Sequence, residues 1–251
     1  MPGTSFSRSR KIRLETKSLG LPMHVRDQGD QAFCCASMAV VTCMEILDAQ
    51  DGAYVELSPL YNYYKARGYG SVKTKLSLQD AISSAINDGV APREFHDTPA
   101  PVTIEAARRI PSGEADREAL KYQIVYSNWG DYGSRYGYYE LSYSTSRAVE
   151  EWKEALRKNH PIAIGVLVGE AYDQLNETYA VYRPEPENLS LSRGHAVAVV
   201  GMDESMQAFK VLDSRGNEFA DKGCWWLPYS VISQGVVVEA VAIDRITYEH
   251  I

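Results

Sequence analysis

The chain has 251 residues, 45% of them hydrophobic and 24% charged, which suits one large domain or two lobes and excludes wholesale disorder. Its formal charge of −7 argues against nucleic acid as a partner. The longest apolar run, residues 32–44, stops at Glu45. A bilayer span needs roughly 18–20 residues, so no membrane span is expected.

The basic stretch 8–13 is followed by no apolar run. That pattern predicts no Sec-type signal peptide and a cytoplasmic chain, with delivery as a secreted effector an option raised by the Ser/Arg-rich start. Cys34, Cys35, Cys43 and Cys224 form no C-x-x-C pair, and the five histidines add no ligand spacing. No metal and no cofactor is therefore expected, and a reducing compartment is the simpler reading.

In chain order, residues 1–23 read as a polar arm. Ala36, Ala39, Val40, Cys43 and Leu47 recur at helical spacing, predicting a buried helix from Cys34 to about Asp48 with the adjacent cysteines in its first turn. Ser58-Pro59 predicts a second helix, stopped at Gly68, by an N-cap serine and a proline at the first helical position. Ser77 to Asp80 has the pattern of a capping box for a third, ending at Gly89. Residues 92–111 read as loops. Residues 122–143, with seven of the seventeen tyrosines, read as strand and loop covering one lobe. Val149, Trp152 and Leu156 predict an amphipathic helix over 147–159, and then the period changes. Residues 162–168, 196–202, 208–212 and 236–243 read as strands, with 183–194 as a connecting loop. The implied class is α+β: an arm at 1–23, a mainly helical part at 24–145 and a β-rich part at 146–251.

Three residues carry candidate chemistry. Cys34 sits at a helix start, where unpaired N–H groups favour a thiolate. His195 opens a buried strand and is a candidate general base and acid. Asp213 follows a strand and is suited to hold one imidazole nitrogen.

These segments resemble the papain-like cysteine proteases. Residues 25–36, Val-Arg-Asp-Gln-Gly-Asp-Gln-Ala-Phe-Cys-Cys-Ala, are similar to the nucleophile segment, and Gly194-His195-Ala196-Val197 to the histidine strand. Val211 to Gly216, followed by Gly223 to Tyr229, resembles the Asn-Ser-Trp-Gly segment and the strand after it. Leu57 to Tyr61, Ser77 to Ala81 and Gly89-Val90 match phrases of bacterial members. The resemblance implies a papain-like two-lobed fold and a peptide or protein substrate. It makes Cys34 the nucleophile, His195 the base and acid, Asp213 the orienting residue in place of Asn, and Gln28 an oxyanion donor. Cys34 is preferred to Cys35 because five residues separate Gln28 from it, as in the family, which leaves Cys35 where the family has Trp. Arg215 stands where a Trp usually shields the His–Asx bond. The implied activity is a cysteine peptidase working through a thioacyl-enzyme. The alternatives are a Cys-His-Asp leader peptidase, an acyltransferase or transglutaminase relative, and an inactive peptide-binding protein.

Overall fold

Residues 35–50 contain neither proline nor glycine and are apolar on almost every turn. They form the central helix α1 (Cys35–Gln50), entered through a 3-10 turn at Ala32–Cys34. A helix apolar all round has no solvent face, and residues 33–48 are buried without exception. The structure is a computed structural model and describes residues 16–19, 25–52, 54–68, 70–128, 134–184 and 193–247. Residues 32–50 are long and apolar enough to cross a membrane, longer than the run read from sequence, but here they are the covered core of the fold.

Helix α2 (Pro59–Arg67) starts where Ser58 Oγ accepts from the Tyr61 amide. Helix α3 (Leu78–Asn87) starts with the reciprocal Ser77–Asp80 box. It stops because Gly89 turns left-handed at φ +70°, where a Cβ would strike the Ala119 carbonyl. The stretch expected to be loop contains α4 (Ile104–Arg108), and α5 (Gly113–Ala119) follows it, capped like α4 by a hydroxyl, Thr103 for α4 and Ser112 for α5.

The sheet is antiparallel. Its strands are β1 (Thr16–Ser18), β4 (Tyr138–Glu140), β5 (Ile162–Val168), β6 (Arg193–Asp203), β7 (Ala208–Leu212), β8 (Cys224–Pro228) and β9 (Val237–Ile243). A separate pair, β2 (Tyr126–Asn128) and β3 (Ser134–Tyr136), stands apart from it. The order is β4-β9-β5-β6-β7-β8, with β1 on the far end of β6. Thus β1, from the segment read as an arm, and β4, from the part read as helical, both join the sheet of the C-terminal half. The loop expected at 183–194 ends two residues early, since β6 begins at Arg193; residues 185–192 lie outside the described residues. Helix α6 (Arg147–Arg157) packs Trp152 and Leu156 against the face of the sheet that carries Val197, Val199 and Phe209. The opposite face, through Ala163, Ala196, Ala198 and Val200, meets α1.

One charge pair sits inside this packing. Glu45 of α1 is fully buried and accepts from Arg26 Nη2 at 2.5 Å and from the Leu57 amide at 2.7 Å. Burial lifts the Glu45 carboxyl to about 7, although Arg26 and the Leu57 amide pull it down. Replacing Arg26 by Met strands this group, at a cost of about 3 kcal/mol. The loss should grow with pH, because the folded state then has to keep Glu45 protonated. Urea unfolding at pH 6 and 9 reads it, with Arg26→Met/Glu45→Leu expected to recover much of the stability. A single variant as stable as the double would refute the pairing.

Candidate active site

Two neighbouring cysteines open α1, and the turn before it sends them to opposite sides. Cys34 is fully buried on the helical side, in a cluster with Phe33, Met38, Leu60, Tyr63 and Val102, and its Sγ donates to the Gln31 carbonyl at 3.1 Å. Burial, and then the neighbouring charge of Cys35, push its thiol far above the ordinary range, the reverse of an activated nucleophile. Cys35 belongs instead to the cluster containing Ala196 and Leu212, the residues next to His195 and Asp213. Cys35 is near enough to the His195 imidazole to help raise its pKa. The structure therefore does not bring Cys34, the sequence candidate, to the histidine; it brings Cys35. A count from Gln28 assumes a fixed path, and here a 3-10 turn at 32–34 lies between Gln28 and the helix.

His195 sits on β6 opposite Val166 of β5, 7% exposed. Its Nε2 lies 3.0 Å from Asp213 Oδ1, which leaves Nδ1 for the thiol side. Burial alone would lower the imidazole pKa. The charge and hydrogen bond of Asp213, with those of Cys35, outweigh it and raise the value to about 10.

Asp213 follows β7 and is completely enclosed. Its Oδ1 also accepts from the Ser214 amide at 2.8 Å. Its Oδ2 accepts from Tyr172 O–H at 2.8 Å and Trp225 Nε1–H at 2.7 Å. Burial disfavours this carboxylate, yet His195 and these donors hold it below the usual carboxylate range. Four donors on two oxygens explain why an aspartate can be charged at this buried position. Tyr172 comes from the short helix α7 (Glu170–Asp173) after β5, and Trp225 from β8, where it faces Val211. Tyr172 was not among the sequence candidates, since no local pattern ties residue 172 to residue 213.

Gln28 is buried, and its Oε1 accepts from Ser214 Oγ at 2.7 Å. That bond fixes the amide's orientation. Its backbone N–H donates to Ser214 O at 2.7 Å, and Gly216 N–H to Arg26 O at 2.8 Å, so residues 26–28 run beside 214–216. Gly29 then turns at φ +54°, where a Cβ would meet Pro101 at 3.0 Å. Gln28, His195, Tyr172, Arg193 and Arg215 line one open cleft of about 200 Å³. No group of three or more His, Cys, Asp or Glu suited to a metal occurs among the described residues.

The paired His195 and Asp213 make stability depend on pH. The folded imidazole value, about 10, exceeds the ordinary 6.5, so this contribution is complete below about 6.5 and is lost as pH rises through about 10. The urea midpoint should fall between pH 7 and 10, and less so in His195→Gln. An equal fall in both proteins would remove His195 as its source.

No family model matches the chain, and no curated protein matches it. Solved structures do. Xylellain, a cysteine protease from Xylella fastidiosa, aligns at 21% identity over 95% of this chain and 88% of its own, with a TM-score of 0.76. Bromelain from Ananas comosus, in complex with E64, aligns at 17% identity over 93% of this chain and 99% of its own, with a TM-score of 0.63. Procathepsin L 3 of the Tenebrio molitor larval midgut aligns at 16% identity over 95% and 72%, with a TM-score of 0.62. The helix bearing two cysteines, packed on the sheet that carries His195, is thus the two-lobed α+β arrangement of these proteases, and the chain has the papain-like fold.

Proposed function

We propose that the protein is a cysteine peptidase in which Cys35, rather than Cys34, is the nucleophile. The observation that carries this reading is the packing of Cys35, at the start of α1, against Ala196 and Leu212 beside the His195 imidazole, which the buried Asp213 carboxylate holds. His195 takes the thiol proton, giving a thiolate and an imidazolium, and the α1 N-terminus favours the negative sulfur. The sulfur attacks the scissile carbonyl carbon. The carbonyl oxygen becomes an oxyanion facing the Gln28 side-chain amide and the Cys35 backbone N–H. The C–N bond breaks as His195 passes its proton to the leaving amine. Water then attacks the thioester, losing a proton to His195, and the Cys35 sulfur departs.

The similarity to solved cysteine proteases and the cleft at Gln28 and His195 support a peptide substrate over other acyl donors. E-64 is the direct probe. Stoichiometric inactivation together with cleavage of internally quenched peptides is expected. Folded protein that neither reacts with E-64 nor cleaves any peptide would overturn the reading.

A further inference from the structure

The cleft wall beyond His195 departs from the charge of the chain as a whole. Arg193, two residues before His195, and Arg215, two after Asp213, converge on Asp173 Oδ1: Arg193 Nη2 hydrogen-bonds to it and Arg215 Nη1 lies 3.7 Å away. One carboxylate between two guanidiniums leaves a surplus of one positive charge and N–H donors that Asp173 does not take up. Both groups lie over aromatic rings. The Arg215 guanidinium lies 4.2 Å from the Phe219 centroid and 5.3 Å from that of Tyr172, and Arg193 lies 6.0 Å from Tyr172. Their side chains remain 52% and 37% exposed. Between Arg193 and His195, a Cβ placed on Gly194 would meet nothing within 4 Å, so the wall is open there.

We infer that Arg193 and Arg215 form a subsite for an acidic side chain on the leaving-group side of the scissile bond. The inference rests on the peptidase reading and deepens it. His195 hands its proton to the leaving amine, so the departing residue lies along the His195 wall, where the arginines stand. Asp30 also lines the cleft, on the Gln28 side, and repels an acid placed there. The two walls thus give an acidic residue one favourable direction. A carboxylate meets two planar forks lying over aromatic rings, the arrangement in which arginine surpasses lysine.

Three quenched peptides that differ only in the residue after the cleaved bond (Glu, Gln or Lys) test it. Wild type should cleave the Glu peptide roughly tenfold faster in kcat/KM than the Gln peptide, the size expected of two part-exposed charges. Lys should be slowest, and salt should shrink the spread. In Arg193→Gln/Arg215→Gln the Glu:Gln ratio should collapse to near one, while Arg215→Lys should keep part of it. Equal cleavage of Glu and Gln by wild type, or a ratio that survives in the double variant, overturns the subsite. If no peptide is cleaved, E-64 labelling decides the peptidase reading separately. Cys35 alkylation by iodoacetate against iodoacetamide then reads the same wall: the anionic reagent should be favoured in wild type and lose that advantage in the double variant. An unchanged ratio overturns the subsite in that case too.

Discussion

Replacing Cys35 by alanine should abolish E-64 labelling and lower peptide turnover by about 10⁴-fold or more, since a covalent pathway has no substitute for its nucleophile. Cys34→Ala should behave in the opposite way. It removes a sulfur from a tight cluster of Phe33, Met38, Leu60 and Tyr63. The expected loss is about 1–2 kcal/mol of stability, with labelling retained. Mass spectrometry of the E-64 adduct and urea midpoints for the two variants separate the roles. An adduct on Cys34, or loss of labelling in Cys34→Ala at full folding, would return the nucleophile to the first cysteine.

Asp213→Asn should have the second largest effect, and for a reason specific to this chain. An asparagine presents one acceptor and one donor group, whereas every neighbour of Asp213 presents a donor. If its amide nitrogen faces Tyr172 and Trp225, the tyrosine hydroxyl can rotate to accept, but the indole N–H cannot. If the nitrogen faces the other way, it meets the Ser214 amide and His195 Nε2. Either orientation strands a buried donor, costing about 1–3 kcal/mol. The lost charge also removes an important support of the raised imidazole value, so the alkaline limb of kcat/KM should move to lower pH. The rate should fall by about 10²–10⁴-fold, by analogy with triads that lose the orienting carboxylate. An unchanged alkaline limb would mean that Asp213 does not set the charge state of His195.

The outline of this molecule is legible in its residues because the signals are local. Ser58-Pro59 and the Ser77–Asp80 box start helices through contacts three residues apart, and the apolar runs of β5, β7 and β9 declare buried strands. The short helices α4 and α5, capped by Thr103 and Ser112, were hidden among prolines. Residues Gln28, His195 and Asp213 stand in one site because each is fixed by its own strand or turn. The choice between Cys34 and Cys35 depends on one residue of path through a 3-10 turn, and side chains of adjacent helical residues point about 100° apart. No count along the sequence measures that rotation. Tyr172 and Trp225 escaped for another reason: their bonds to Asp213 span 41 and 12 positions and exist only once β5, β7 and β8 are aligned.

The backbone bonds that join residues 26–28 to residues 214–216 have a mechanical consequence. Gln28, which precedes the helix, and Ser214, beside Asp213, are clasped by main chain and side chain together. Prising the lobes apart at this end means shearing those bonds, so the cleft has no free hinge there and its width is set before any ligand arrives. On the peptidase reading, a peptide would enter a cleft of preset width instead of one that closes on it. The Gln28 and Gly216 amides should accordingly exchange with solvent only as slowly as the whole protein unfolds.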